Sequence, residues 1–397
     1  MINNKQICII GGGSSGLTSI KACLEEGLKP ICFEKTDKLG GLWRYRDDDT
    51  DELASVMKST IINSSKEMSA YSDFPPPKEF PNYIRLSRIL VFLSTRSGSW
   101  IIHRVGPKGK PFDDKYLRRS WNVIWLHGPY KLMNYLTERH LNSRFDHAAY
   151  CLKPKHRIFE QHPMINDALP NRILSGTVTV KPNIKEFTEN GVIFEGEDKE
   201  QKVDVVILAT GYKIEFPFLD SKILSTQNNQ VELYKYVIPP NLKHHSLAII
   251  ALTQPVGALL PIGEIQARWF ALLMANKIHL PPLDQMIRDV EKKMDMMSKR
   301  YPKNPRYTIQ VDWIPYMDEI SSLIKAKPNL MFLFFTDIKL FWKCFWGPCL
   351  PYQYRLKGPH SWQGARRAIL SQKDRILGAL KTADKTRKQS YTAAEHA

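Results

Sequence analysis

Three glycines near the amino terminus have the spacing that a phosphate-binding loop requires. Gly11, Gly13 and Gly16 form the pattern G-x-G-x-x-G within the segment GGGSSG. In such a loop the first glycine allows a tight turn, the second lets the backbone approach a pyrophosphate, and the third lets a helix pack closely on a strand. Because the free N–H groups at the start of a helix attract phosphate, this pattern predicts nucleotide binding.

The segments on either side of the loop have the order of a dinucleotide-binding unit. Gln6–Ile10 (QICII) predicts a buried parallel strand, Leu17–Glu26 a helix, and Lys29–Glu34 (KPICFE) a second strand. Glu34 follows Gly16 by 34 − 16 = 18 residues, about where the acid that binds a ribose hydroxyl is expected. The loop alone does not distinguish FAD from NAD.

Length and composition set limits on the fold and the partners. The 397 residues are enough for two or three domains, and 43% hydrophobic residues are ordinary for a globular protein. The net charge of +17 (57 − 40) suits anionic partners such as nucleotides, acidic lipid head groups or nucleic acid. Six scattered cysteines without a C-x-x-C argue against a disulfide scaffold and a structural zinc site, so no metal is expected. No apolar run reaches about 18 residues, so no membrane-spanning helix is predicted.

Several short blocks resemble the flavin-containing monooxygenase family. Cys8–Arg44, which includes the turn LGGLWR, resembles the FAD-binding segment of that family. Ile61–Pro75 is similar to the segment that brings an asparagine, here Asn63, to the flavin. Val203–Gly211 (VDVVILATG) predicts a buried parallel strand and resembles the segment that returns the chain to the FAD domain.

Later blocks follow in the family's order. Gln254–Trp269 and Gly347–Arg366 resemble the family closely, and Lys153–Arg157 and Asn166–Gly176 look most like its type-five member. Within this part, apolar residues at helical spacing predict an amphipathic helix over 262–276. The resemblance of the block Gly347–Arg366 also implies that Cys344 and Cys349 are buried thiols. The aromatic-rich stretch from Leu330 to Tyr352 is interrupted by charges, which favours core packing over contact with a membrane surface.

The resemblance implies a fold, a reaction and a set of site residues. The implied fold class is α/β, with a discontinuous Rossmann-like FAD-binding domain and a partial, truncated second nucleotide-binding domain. The implied function is an FAD- and NADPH-dependent monooxygenase that oxygenates soft nitrogen or sulfur nucleophiles, or ketones, through a flavin hydroperoxide. The implied cofactor-binding residues are Gly11, Gly12, Gly13, Ser14, Ser15, Gly16, Glu34, Leu42, Trp43, Asn63 and Ser64 for FAD, with Asn63 and Arg96 for NADP. The amide of Asn63 is the catalytic candidate, because it can donate a hydrogen bond without titrating.

The middle of the chain departs from the family pattern. The family's second glycine-rich fingerprint and the F-x-G-x-x-x-H signature before it, which belong to NADPH binding, are both missing. At the join near Leu90 roughly a hundred residues, a domain's worth, are missing. We therefore expect 1–90 to form the first part of the FAD domain, 91–202 a remnant of the NADPH domain, 203–380 the second part of the FAD domain, and 381–397 a polar disordered tail.

Two interpretations of function remain open from the sequence. The first is a monooxygenase impaired by the loss of the NADPH fingerprint. The second is a non-catalytic truncated isoform that binds FAD or a full-length partner. The resemblance implies small lipophilic amine, sulfide or ketone substrates, O₂ and a place on the endoplasmic reticulum membrane. Because the tail lacks the family's usual apolar anchor, the cytosol is an alternative location. The residues 85–119 carry a net charge of 9 − 2 = +7, which we interpret as a solvated surface and not as a nucleic-acid site.

Overall fold

The amino-terminal segment forms the strand–helix–strand unit that its sequence predicts. In the computed structural model, β1 is Gln6–Ile10, α1 is Ser14–Glu25 and β2 is Lys29–Phe33. The two strands are parallel neighbours in register from Gln6 opposite Lys29 to Ile10 opposite Phe33. The helix ends at Glu25, and Gly27 follows with a φ of +71°, the left-handed conformation that glycine adopts without strain. Two parallel strands joined by a helix form a β–α–β unit of an α/β fold.

The structure describes residues 5–44, 67–77, 91–174, 178–301 and 307–378. The further strands are β3 Val91–Ser94, β4 Ile101–Ile102, β5 Met164–Ile165, β6 Val178–Lys181, β7 Ile184–Phe187, β8 Gly191–Phe194, β9 Gln201–Lys202, β10 Gln254–Pro255 and β11 Gln310–Val311. The further helices are α2 Phe112–Tyr116, α3 Arg119–His127, α4 Tyr130–Asn142, α5 Leu169–Leu174, α6 Leu259–Met274, α7 Leu283–Arg300, α8 Trp313–Leu323, α9 Leu330–Thr336, α10 Ile338–Phe345, α11 Ala365–Leu370 and α12 Gln372–Gly378.

Small parallel sheets hold the α/β part together. β1 pairs with β2, β3 with β6, β4 with β5 and β10 with β11, all parallel, whereas β7, β8 and β9 form an antiparallel sheet. The first strand of the middle part, β3, therefore has a neighbour in β6. In the same part of the chain, Trp100, Leu141 and Ile158 form a separate small core.

The strand predicted over Val203–Gly211 is absent, and this prediction was wrong. The segment pairs with no strand among the described residues, and Val205, Ile207 and Leu208 are 76%, 85% and 69% exposed. A buried parallel strand needs neighbours on its edges and cover on both faces. No described strand lies on the second edge of β1, so this β-branched run remains on the surface.

The main core is built around α6, as the apolar spacing predicts. Ile262, Ile265, Trp269 and Leu272 are each at most 3% exposed and pack with residues of α8, α10, α11 and the turn 351–355. A second cluster joins α1 to α6 through Ala22, Cys23 and Leu28 against Ala267 and Ala271. The glycine-loop helix is therefore held by the carboxyl-terminal half of the chain.

The aromatic-rich stretch has two faces, so the expectation of core packing is only half right. Leu340 and the thiols Cys344 and Cys349 are buried, as expected for the cysteines. Phe335 and Trp342 are 76% and 54% exposed. Among the residues that the structure describes, no helix combines the length and apolar composition needed to cross a bilayer.

The close contact of α1 with the glycine loop yields a prediction about stability. A Cβ on Gly16 would lie 1.9 Å from the carbonyl oxygen of Gly11, a backbone atom that cannot rotate away. We expect Gly16→Ala to lower the free energy of unfolding by about 1–2 kcal/mol, although alanine is the better helix former. Urea denaturation measures the change. The matched control in the same helix is Ser19→Ala, for which we expect no loss, and equal stability of the two variants would contradict the prediction.

Candidate functional site

The glycine loop holds the conformation that phosphate binding requires. Gly11 has a φ of +100°, and its N–H donates to the carbonyl oxygen of Phe33 at the end of β2 (2.8 Å). No atom lies within 4 Å of the Cβ position of Gly11, and at Gly13 such an atom would meet only Gly41 Cα, at 3.8 Å. A ligand can therefore approach the backbone closely at both positions.

The first turn of α1 faces this open space with unoccupied donors. Gly13 is the N-cap and offers no side chain, so no side-chain cap accepts from the first N–H groups of the helix. Ser14 and Ser15 follow Gly13 and line a small cavity between α1 and the start of α6. Backbone N–H groups and hydroxyls at a helix N-terminus favour an anion such as a pyrophosphate.

Glu34 is held beside the loop at the carboxyl end of β2. Its Oε2 accepts from the N–H of Gly12 at 2.6 Å, and its Oε1 accepts from the N–H and the hydroxyl of Thr36 at 2.9 and 2.8 Å. The side chain is half-buried. A carboxylate at this place can accept hydrogen bonds from ribose hydroxyls, as the spacing predicts.

A second turn closes over the glycine loop. The N–H of Gly40 donates to the carbonyl oxygen of Gly12 at 2.9 Å, and a Cβ on Gly41 would lie 3.1 Å from Gly13 Cα. Leu42 and Trp43 follow in the short 3-10 helix Gly41–Trp43 and are 51% and 45% exposed. Their apolar surface is therefore free to cover a ligand on the loop.

The donors and acceptors at this site fit a dinucleotide. The structure brings together the loop 11–16, Glu34 and the pair Leu42 and Trp43. Asn63 and Ser64 lie outside the described residues. Arg96 is exposed and follows β3, which pairs with β6 and not with β1 or β2, and no described carboxylate pairs with it.

Sequence reasoning missed a buried ion-pair cluster, here called the Arg355 cluster, that fixes the site helix. Arg355 is 1% exposed, and it donates from Nε to the hydroxyl of Ser72 (2.8 Å) and from Nη2 to Oε1 of Glu264 (2.9 Å). Its guanidinium also lies 3.6 Å from Glu25 of α1 and 3.5 Å from Asp73. The cluster joins α1, the segment 67–77, α6 and the turn 351–355.

Burial and charge act against each other within the Arg355 cluster. Burial disfavours the charge of Arg355, but Glu264, Asp73 and Glu25 together hold its pKa above the ordinary value. Burial, with a further contribution from Arg355, lowers the pKa of Arg268 to about 10. Arg268 is stabilised by carbonyl oxygens instead, at Tyr354 (3.1 Å) and Pro359 (3.2 Å).

A second buried ion pair anchors the other end of the segment 67–77. Glu67 is fully buried and accepts from Nε of Arg375 at 2.8 Å, and Arg375 also donates to the carbonyl oxygen of Pro76 at 2.7 Å. One sequence signal pointed to such clusters: Glu264 and Arg268 interrupt an otherwise apolar helix at i and i+4. Charged residues at core positions are rarely left unpaired.

Comparison with known proteins gives a family match over nearly the whole chain. A family model described as flavin-binding monooxygenase-like matches residues 4–91 and 88–396. The chain is 36% identical to flavin-containing monooxygenase 5 of Homo sapiens, covering 99% of this chain and 96% of that protein. It is 38% identical to flavin-containing monooxygenase 5 of Rattus norvegicus, covering 98% and 96%.

A solved structure shares the fold. The S-allyl-L-cysteine S-oxygenase from Allium sativum matches with a TM-score of 0.53 and 17% identity, over 92% of this chain and 98% of that chain. The alignment with the human relative runs over 513 residues, whereas this chain has 397, so at least 513 − 397 = 116 aligned positions have no residue here. The two matched ranges of the family model overlap at residues 88–91.

The Arg355 cluster leads to a second prediction. Arg355→Met leaves Glu264 buried without its cation, and breaking a buried pair in this way costs about 3–5 kcal/mol of unfolding free energy. The double variant Arg355→Met, Glu264→Leu removes both charges and should recover part of that loss. Chemical denaturation of the unaltered chain, the single variant and the double variant measures how much of the loss is recovered. As a control, Arg366→Met removes an exposed partner of Asp337 and should change stability little. Equal losses for the buried and the exposed pair would contradict the prediction.

Proposed function

The chain belongs to the flavin-containing monooxygenase family, a family of oxidoreductases that use FAD and NADPH, and we propose that it oxygenates soft nitrogen or sulfur nucleophiles, or ketones, with impaired use of NADPH. The observation that carries this proposal is the contrast between its two nucleotide sites. The FAD loop is complete and assembled, whereas the second glycine-rich fingerprint is missing from the sequence.

FAD binding is proposed to use the residues around the glycine loop. The N–H groups of 11–16 and the hydroxyls of Ser14 and Ser15 bind the pyrophosphate, and Glu34 accepts from the ribose. Bound there, the flavin supplies the chemistry, namely hydride acceptance from NADPH and activation of O₂. Leu42 and Trp43 exclude water from one side of the cofactor. We assign Asn63, with Ser64, to the reacting end, where an uncharged amide donates a hydrogen bond without taking up a proton.

The NADPH side is proposed to be weak because few contacts remain for the second dinucleotide. Arg96 supplies a planar guanidinium suited to a 2′-phosphate, but its side chain is exposed. A charge-assisted hydrogen bond contributes about 1.5–3 kcal/mol, too little to order a dinucleotide. The 116 or more aligned positions without a residue support the interpretation that a unit is missing from this chain.

The domain organisation follows as part of the same proposal. Residues 1–90 and 203–380 form the two parts of the FAD domain, since α1 packs on α6 and the Arg355 cluster joins the two parts. Residues 91–202 form the remnant of the NADPH domain, and 381–397 a polar tail. Val203–Gly211 belongs to the FAD domain even though it is unpaired among the described residues.

The substrates and location are proposed from the family and from chemistry. Small lipophilic amines, sulfides or ketones react with O₂ at the flavin, and nucleic acid is not a partner. We propose the endoplasmic reticulum membrane as the location, with the cytosol as the alternative. Cell fractionation of the tagged chain distinguishes them.

One observation favours a second candidate function. The free edge of β1 and the exposed run Val205–Leu208 leave the FAD sheet with two strands in the described structure. A non-catalytic truncated isoform that binds FAD or a full-length partner accounts for such open edges, because unpaired strands add to sheets of other chains. Absence of turnover together with stable flavin binding would favour this candidate.

FAD binding is tested by Gly13→Val. A Cβ at this position meets only Gly41 Cα within the protein, at 3.8 Å, so we expect the variant to fold. The same side chain occupies the path of the pyrophosphate, so we expect the purified variant to lose its noncovalently bound FAD. Absorbance of the flavin released by heat gives the content, and the melting temperature of both apoproteins serves as the control. Unchanged flavin content in the folded variant would refute the assignment.

The NADPH deficit is tested by anaerobic stopped-flow at the flavin absorbance. We expect reduction at least about 100-fold slower than in an intact relative, because misplacement of the reacting groups by about 1 Å costs about that factor. Dithionite should bleach the same flavin fully, which shows that the cofactor itself is competent. Rapid, saturable bleaching at micromolar NADPH would overturn the proposed impairment.

A further inference from the structure

A basic cleft lies where the middle part of the chain meets the carboxyl-terminal half. The cleft has a volume of about 140 Å³, and four separate parts of the chain supply its cations, which are Lys110, Arg118, Lys343 and Lys373. Beside it, Arg118 and Pro348 form an antiparallel bridge, and the N–H of Cys349 donates to the carbonyl oxygen of Leu117 at 2.7 Å. The cleft therefore lies on the contact between two parts that are distant in sequence, here called the seam.

One wall of the cleft is built from buried polar groups. Asp114 and Gln372 are 7% and 5% exposed, and the amide of Gln372 donates to Oδ1 of Asp114 at 2.8 Å. Arg118 donates from Nε to the backbone carbonyl oxygen of Asp114 at 2.6 Å and from Nη2 to its Oδ2 at 3.3 Å. These bonds fix the guanidinium of Arg118 at the edge of the cleft before any ligand is bound.

The charge of the cleft is strongly positive. Its carboxylate, Asp114, is already engaged by Arg118 and Gln372, and Nζ of Lys110 lies 3.7 Å from it. Among the described residues no carboxylate pairs with Lys343 or Lys373. Four cations against one carboxylate give the lining residues a net charge of 4 − 1 = +3. A concavity with this charge attracts a multiply charged anion.

The free donors match a phosphate group. Each lysine ammonium carries three N–H donors and a guanidinium carries five, so the cleft offers many donors to one compact acceptor. A phosphate dianion supplies two charges and several acceptor oxygens, and Arg and Lys are the side chains that bind it. Buried Pro348 and Ile376 also line the cleft, and apolar walls strengthen the attraction between charges beside them.

We propose that the cleft binds a soluble phosphate dianion, either inorganic phosphate or a small phosphomonoester, and that the bound anion ties the seam together. The anion joins Arg118 at the start of α3 to Lys343 of α10 and Lys373 of α12. The inference does not rest on the oxygenation chemistry or on the FAD loop.

The position of α12 gives the site a consequence for the rest of the molecule. The same helix carries Arg375, which pairs with the fully buried Glu67 at 2.8 Å. An anion that holds α12 against α3 and α10 therefore also supports the segment 67–77. We expect phosphate to stabilise the whole fold, because a ligand that binds only the folded state shifts the unfolding equilibrium.

The experiment is thermal unfolding of the full chain during titration with inorganic phosphate, with sodium chloride at equal ionic strength as the reference. We expect a saturable rise in melting temperature with phosphate only. Neutralising one partly exposed cation should weaken the affinity about fivefold, so Lys343→Gln with Lys373→Gln should weaken it about 25-fold. The matched control, Lys185→Gln with Lys199→Gln in the β7–β9 region, removes the same charge from exposed positions and should respond as the unaltered chain does. Melting temperatures without phosphate show whether both variants fold.

Two further measurements locate the bound phosphate. Gly13→Val alters the glycine loop and leaves the cleft intact, so its stabilisation by phosphate should equal that of the unaltered chain. In hydrogen exchange, phosphate should slow the exchange of the Cys349 N–H, which crosses the seam. The cleft variant should not show this protection.

Three outcomes would overturn the proposal. An equal loss of response in the cleft variant and the remote control would mean that phosphate acts through net charge alone. A response that disappears in Gly13→Val and persists in the cleft variant would place the phosphate on the glycine loop. Binding of phosphatidylserine vesicles that requires the two cleft lysines, without any response to soluble phosphate, would assign the cleft to a lipid head group.

Discussion

The buried guanidinium of Arg355 is the constraint on which the arrangement of the site depends. It holds Glu264 of α6, Ser72 and Asp73 of the segment 67–77, and Glu25 of α1 around one cation. An unpaired charge at this depth is costly, so these elements must assemble together. The direction of α1, and with it the direction in which its N-terminal N–H groups point, follows from that assembly.

The same constraint explains how the proposed FAD site is held by the carboxyl-terminal half of the chain. α1 packs on α6 through small residues, Ala22 against Ala267 and Ala271. Among the described residues, none from 91–202 belongs to this cluster. The sheet that contains β1 is small, however. β1 has one strand neighbour among the described residues, and the β-branched run after Val203 finds no edge to join.

The stretch 330–352 shows how one segment can serve both the core and the surface. Its inner residues, among them Leu340 and Cys344, pack in the main core, while its outer aromatic side chains are exposed.

By itself, the sequence determined the elements whose signals are local. The strand–loop–helix–strand unit of 6–34 and the core face of α6 were predicted from spacing, because glycine geometry and helical periodicity act within a few residues. Only the tertiary structure decided the pairing of Arg355 with Glu264, 91 positions apart, and which face of α10 is exposed. Val203–Gly211 has the β-branched pattern of a strand but forms none, because a parallel strand forms only where another part of the chain supplies its neighbour. That, too, is decided by the tertiary structure.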